Sequence, residues 1–275
     1  MNTYTHGHHE SVLRSHAWRT AENSAGYLLP YLRADMRLLD IGAGPGTISV
    51  DLAKRVAQVT AAEKGDQELR LSRDLADERG IANMTFEVLD IHALDIADDT
   101  YDVVHAHQVL QHVADPVQAL REMGRVTRPG GLVAARDADY RACVWWPEIP
   151  ELDEWMSLYQ AAARANGGEP DAGRRLHAWA RSAGFEDMTA SSDTWCFATH
   201  TDREWWGGLW AERIVASDLA QQLIDEGRAT RGDLERIADG WRAWAQCEDG
   251  WFSMLHGEIV CRVGESAGLT GQAKA

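Results

Sequence analysis

Cysteine is scarce in this 275-residue chain, and the four present, Cys143, Cys196, Cys247 and Cys261, are scattered with no C-x-x-C pair. That spacing suggests neither a structural zinc module nor a disulfide framework, so reduced thiols are the expectation. No stretch approaches the roughly 18 consecutive apolar residues of a membrane span. The first ten residues are polar and histidine-rich, unlike an apolar signal segment. Together these absences lead us to expect a soluble, cytoplasmic protein without a membrane partner. Basic residues are also in deficit: 27 stand against 43 acidic ones, for a net charge of -16. Such a surface repels a phosphate backbone unless cations are concentrated somewhere, and Arg121, Arg125, Arg128, Arg174 and Arg175 lie among acidic and apolar neighbours. Nucleic acid is therefore set aside as a partner. Internal repeats and low-complexity linkers are missing too.

What the chain does have is a 45% hydrophobic content, enough for a full core, arranged in alternating periods. Over residues 10–32, Val12, Leu13, Ala17, Trp18, Ala21, Ala25, Leu28, Leu29 and Leu32 recur at helical spacing, which predicts one or two helices. A strand over 37–41, a glycine loop and a helix over 47–55 follow. The rhythm repeats with a strand at 58–62 ending on Glu63, a helix at 66–79, a strand at 84–89 ending before Asp90, and a strand at 101–106. Asp115-Pro116 supplies a capping carboxylate and a proline suited to the first helical position. That helix is expected to stop at Arg128-Pro129-Gly130-Gly131, ahead of a fifth strand over 132–136. Strands alternating with helices imply a parallel sheet covered on both faces. Beyond Tyr140, helices are expected at 151–165 and 174–183 and strands at 188–197 and 251–263. Thr201 with Glu204, and Thr230 with Asp233, have the spacing of capping boxes that open two further helices. The expected fold is thus α/β, a seven-stranded Rossmann-like doubly wound sheet. Its divisions are a helical cap or lid (1–33), a ligand-binding core (34–140), a Trp-rich helical embellishment with closing strands (141–265) and a tail (266–275).

In an open parallel sheet the ligand sits beyond the carboxyl ends of the strands, at the loop after the first one. Gly42, Gly44 and Gly46 occupy that loop, where side chains would block a close backbone approach. Asp40, at the strand end, suits the loop amides or a ligand ammonium group, and Glu63 suits a ribose diol. A nicotinamide dinucleotide site is the nearest rival, but Thr47 stands where its third glycine belongs, and Asp40 is a poor neighbour for a pyrophosphate.

At these residues the chain resembles the class I S-adenosylmethionine-dependent methyltransferases. Asp40-Ile41-Gly42-Ala43-Gly44-Pro45-Gly46 is similar to their D-x-G-x-G-x-G motif. The segments His107-Gln108-Val109-Leu110-Gln111-His112-Val113-Ala114-Asp115-Pro116 and Arg128-Pro129-Gly130-Gly131 resemble the ubiquinone/menaquinone-methylase-like branch. The resemblance implies S-adenosylmethionine as cofactor. It assigns Asp40, Gly42, Ala43, Gly44, Gly46, Glu63 and Lys64 to its binding, Asp90 to the adenine amino group, Ile91 to the ring edge, and His107 to the neighbourhood of the methionine. Asp90 and Asp102 also fit as simple strand terminators, and His112 as a helix-face residue.

Methyl transfer is an in-line displacement at a carbon already activated by the sulfonium, so a general base is required only when the nucleophile must lose a proton. His107, His112 and, past the fifth strand, Asp137 and Tyr140 are the catalytic candidates. The segment 4–23, with His6, His8, His9, His16, Trp18 and Arg19, reads as a lid over the cofactor, Trp18 and Arg19 contacting it. The histidines lack the carboxylate or cysteine spacing of a metal site. All tryptophans but Trp18 come after residue 144. Helix packing accounts for most of them, since Trp206 and Trp210, or Trp241 and Trp244, share a helix face. Trp145 and Trp146, just past the fifth strand, are the candidates for contact with a small apolar or aromatic methyl acceptor. A non-catalytic S-adenosylmethionine-binding protein is the alternative of a different class.

Overall fold

The computed structural model describes residues 10–264, with side chains from Arg14 onward. Its elements run α1 (Glu10–Ala17), α2 (Ala21–Ala25), β1 (Arg37–Ile41), α3 (Thr47–Ala53), β2 (Gln58–Glu63), α4 (Asp66–Glu78), β3 (Met84–Val88), β4 (Tyr101–His107), α5 (Pro116–Val126) and β5 (Thr127–Ala138). They continue with β6 (Val144–Trp146), α6 (Pro150–Ala165), α7 (Leu176–Ala183), β7 (Asp187–Phe197), α8 (His200–Ala216), α9 (Asp218–Asp225), α10 (Arg231–Gln246) and β8 (Trp251–Arg262). No helix among the described residues is long and apolar enough to cross a membrane.

Strands β3, β2, β1, β4 and β5 lie side by side and parallel, and β8 and then β7 extend the sheet antiparallel. Chain order reverses between β1 and β4, which places the crevice for a ligand at their carboxyl ends. The period of two decides which residue faces which layer. Leu38, Val103 and Leu132 pack on one side with Leu28 of the N-terminal segment and Ile48 and Leu52 of α3, whereas Leu39, Val104 and Val133 pack on the other with Leu120 and Met123 of α5 and Leu176 of α7. Both faces are covered, as the strand and helix alternation implies.

The sheet has eight strands rather than the expected seven, because β6 adds a three-residue pairing, Val144↔Ser253 to Trp146↔Trp251, beside the start of β8. Three residues are too few for a period of two to show. The capping box of α8 is also shifted: Thr199, not Thr201, accepts from the Asp202 amide, while Glu204 lies 3.4 Å from His200. Since β7 ends at Phe197, Thr199 is already in position to cap a helix starting at His200. The boxes at Thr230/Asp233 and the Asp115 cap with Pro116 are present as expected.

A separate apolar cluster fills the C-terminal part. Trp155 lies 4.6 Å from Trp210 and 4.9 Å from Trp241, both near perpendicular, and Trp206, Trp244 and Phe252 complete the cluster between α6, α8, α10 and the sheet. Edge-to-face contacts suit the aromatic quadrupole, and all of these indoles are buried.

Candidate active site

The loop after β1 is held open from behind. Gly42, Gly44 and Gly46 all have positive φ, +70°, +56° and +84°, a region costly for other residues. A Cβ on Gly42 would come within 2.3 Å of Val109, and one on Gly46 within 2.2 Å of Ser72, whereas a Cβ on Gly44 would meet only His16, at 3.8 Å. Gly44 is therefore the glycine that leaves room on the cavity side. The Gly42 and Ala43 amides donate to the Ala62 carbonyl, at 2.8 and 3.2 Å, and the Gly44 amide donates to Glu63 Oε1 at 2.6 Å. Asp40 corrects an expectation: it does not reach the cavity. Its side chain is buried behind the loop, where Oδ1 lies 2.7 Å from His105 Nδ1 and Oδ2 accepts from the Ser49 hydroxyl. Asp40 thus braces β1 against β4 and α3.

A cavity of about 450 Å³ opens in front of the loop. One end is lined by Gly42, Ala43, Gly44, Glu63, Lys64, Leu71, Leu89, Asp90, Ile91, His92 and Val113. Burial pushes the Glu63 carboxyl up, while the Gly44 and Lys64 amides pull it back. The Asp90 carboxyl is lowered, first by the His92 amide at 3.0 Å and then by the His92 ring at 2.9 Å. An apolar slot between two carboxylates, continuous with a bare backbone loop, suits a nucleoside with an amino-acid extension.

The other end is aromatic. His107, His112, Tyr140, Trp195, Trp206 and Met254 line it, with Arg213, and the N-terminal segment contributes Ser15, His16 and Arg19. His107 is buried, and neither ring nitrogen has a hydrogen-bond partner in the structure. Burial lowers its pKa well below the usual imidazole value, with Arg19, Arg136 and His256 adding to the effect. Burial and Arg19 bring His112 down to about 3. Both rings are neutral near pH 7, and so feeble a base as His112 is poorly matched to taking a proton. Tyr140 is buried with its ring 4.1 Å from that of Tyr159.

The two expected substrate contacts are elsewhere. Trp145 stacks on Phe252 at 6.0 Å and Trp146 is 57% exposed; neither lines the cavity. After β5 a short turn, Tyr140–Ala142, leads β6 away to pair with the start of β8. Trp195 of β7 and Trp206 of α8 take that place. Trp18 likewise stands behind the wall, 5.1 Å from Trp195 and 5.4 Å from Trp205, rather than on the cavity. Arg19 is on the cavity, and its guanidinium donates to Gln108 at 2.7 Å. His6, His8 and His9 lie outside the described residues; among those described, no group of three or more His, Cys, Asp or Glu could hold a metal ion. Gln108 was discoverable from its place beside His107, whereas Trp195, Trp206, Met254 and Arg213 depend on how distant elements pack.

Asp137, a catalytic candidate, does not line the cavity; it is buried, with Oδ1 accepting from the Gln111 amide at 3.1 Å. Burial pushes its carboxyl up to about 8, against the pull of the Gln111 and Leu110 amides. The fold therefore holds a proton that the unfolded chain releases above about pH 4. Its stabilising contribution is full below that pH and is lost as pH rises towards about 8. Asp137→Asn should flatten this slope, read as a smaller change in urea midpoint between about pH 5 and about pH 8.

A methyltransferase-domain family model matches residues 32–208. An uncharacterized methyltransferase of Schizosaccharomyces pombe is 37% identical over 270 residues, which is 94% of this chain and 95% of that protein. A ubiquinone/menaquinone biosynthesis C-methyltransferase of Bdellovibrio bacteriovorus is 38% identical over 103 residues, 37% of this chain and 43% of that protein. Among solved structures, the YcgJ protein of Bacillus subtilis superposes with a TM-score of 0.59 at 20% identity, covering 87% of this chain and 97% of that one. That last likeness is one of fold.

Proposed function

The chain belongs to the methyltransferase-domain family and is an S-adenosylmethionine-dependent methyltransferase, and we propose that its acceptor is a small aromatic or apolar metabolite held against Trp195 and Trp206. One observation carries this reading: a single cavity runs from the glycine loop, Glu63 and Asp90 to an aromatic chamber, with His107 lining it. Room in front of Gly44 and two unpartnered ring nitrogens on His107 are what a cofactor with an amino-acid end and an adjoining acceptor require. When bound, S-adenosylmethionine supplies a methyl group already activated by its sulfonium.

The residues divide the work. Glu63 accepts from the ribose hydroxyls, Asp90 from the adenine amino group, Ile91 packs on the ring, and Gly42, Ala43, Gly44 and Lys64 border the donor. Trp195, Trp206, Tyr140 and Met254 exclude water and align the acceptor, which supplies much of the rate in an in-line displacement. Burial and Arg19 keep His107 neutral and weaken it as a base, as they do His112, so His107 borders the reacting groups as an uncharged ring, and His112 and Tyr140 shape the chamber around it. Neither nucleic acid nor a membrane enters this reading, in keeping with the net charge of -16, and its setting is the cytoplasm.

Incubating the protein with S-adenosylmethionine carrying a labelled methyl group and fractionated metabolite extract tests it. Label is expected in a small aromatic or apolar product. Label on polar aliphatic compounds alone would overturn the acceptor class, and no transfer from any fraction would favour a protein that only binds the cofactor.

A further inference from the structure

Gln108 is the first residue after β4, and it has an unusual backbone: φ is +54°, in the left-handed region that residues other than glycine seldom occupy. Strain of this kind persists where the surroundings hold it, and it gathers at ligand sites. The Gln108 amide donates to the Arg136 carbonyl at 2.7 Å. Its side chain bridges two distant parts of the chain, meeting the Arg19 guanidinium at 2.7 Å through Oε1 and His256 Nε2 at 2.8 Å through Nε2.

Chemistry orients this relay without ambiguity. A guanidinium only donates, so the Gln108 oxygen must face Arg19 and its NH2 must face His256. His256 Nε2 must then accept, which leaves its proton on Nδ1, 3.1 Å from the Met254 carbonyl that receives it. Burial, Arg136 and Arg19 keep His256 uncharged, as this assignment requires. A glutamate at 108 would lack the donor for His256, and an apolar residue would lack both groups.

The order of the strands says what Arg19 faces. Asp90 follows β3 and Glu63 ends β2, so adenine and ribose lie over that side of the sheet; β1 and β4 come next in the order β3-β2-β1-β4. The amino-acid end of the cofactor is thereby directed to the ends of β1 and β4, where Gly44, His107, Gln108 and Arg19 line the cavity together. We infer that Gln108 is a positioning residue that holds the Arg19 guanidinium over the amino-acid end of S-adenosylmethionine, where it pairs with the α-carboxylate. The inference rests on the identity of the cofactor and is independent of the acceptor.

A pair of ligands separates this role from a merely structural one. S-adenosylhomocysteine and 5′-methylthioadenosine share adenine and ribose, but the second lacks the carboxylate. Gln108→Gly removes the side chain while suiting the left-handed backbone, so the variant is expected to fold. By calorimetry it should bind S-adenosylhomocysteine about tenfold more weakly, a loss of the size expected for one hydrogen bond to a charged group, and bind 5′-methylthioadenosine as the unaltered protein does. Arg19→Gln should show the same selective loss, and the double variant should be no weaker than Arg19→Gln alone. Gln108→Glu, which pairs its own charge with Arg19, gives a second route to the same selective loss. Equal weakening of both ligands, or no weakening of S-adenosylhomocysteine, would overturn the inference.

Discussion

Gly42→Ala is expected to destabilise the protein by roughly 3 kcal/mol, the sum of about 1–2 kcal/mol for a left-handed alanine and about 1–3 kcal/mol for overpacking. The steric part has a named cause, since the new methyl would lie 2.3 Å from Val109 Cγ2 while φ is +70°. Val109→Ala should restore that part and leave the conformational part. Gly44→Ala provides the contrast. It shares the positive φ, +56°, but its methyl would enter open space with only His16 within 4 Å. It should therefore lose only about 1–2 kcal/mol of stability and still lose most of its affinity for S-adenosylhomocysteine, because the methyl occupies the cavity. Urea midpoints and calorimetric titration separate the two outcomes. If Gly44→Ala binds normally, the loop is not the cradle described above.

The second large effect belongs to Glu63. Its carboxylate accepts from the Gly44 amide and, on the proposed reading, would accept from two ribose hydroxyls as well; hydrogen bonds to a charged group contribute about 1.5–3 kcal/mol. Glu63→Ala is expected to weaken S-adenosylhomocysteine on the order of a hundredfold. Glu63→Gln keeps one acceptor oxygen and should lose about tenfold. The raised pKa adds a pH signature. Protonation removes acceptor capacity, so affinity should fall on the acid side at a higher pH than an ordinary carboxylate would cause. The glutamine variant should lack that limb. Acid-side profiles that coincide would show that Glu63 is not the group accepting from the ribose.

That Gly42, Gly44 and Glu63 border one cavity is legible in the sequence, and the reason is local. The glycine loop, Glu63 and Asp90 each lie at the end of a strand whose alternation is visible over five or six residues, and the topology of a parallel sheet sends all such ends to one edge. Asp40 shows where that logic fails. A strand end faces both the loop and the layer behind it, and the positions of His105, one strand over, and Ser49 of α3 show that the carboxylate points backward. Trp195 and Trp206 fail for a longer-range reason. Their neighbours are set by the pairing of β7 with β8 and by the seating of α8, contacts between residues far apart in the chain. Trp145 and Trp146 looked better placed because they follow β5 directly, yet a three-residue turn was enough to carry them away. Thr199 and Thr201, each three residues before an acid, present equivalent local patterns, and the end of β7 chose between them.

The apolar clusters also bear on how such an enzyme changes over time. Ile41 and Ile91, on the donor side, pack in the cluster beneath α5 and α7, whereas Tyr140, Trp195, Trp206 and Met254 belong to the separate cluster of α6, α8 and α10. On the proposed reading, mutations that reshape the second cluster alter the acceptor chamber while leaving intact the packing that supports the donor loop. Drift in the C-terminal half would then be a route to new acceptors with an unchanged methyl donor, leaving relatives that share this core free to differ in what they methylate.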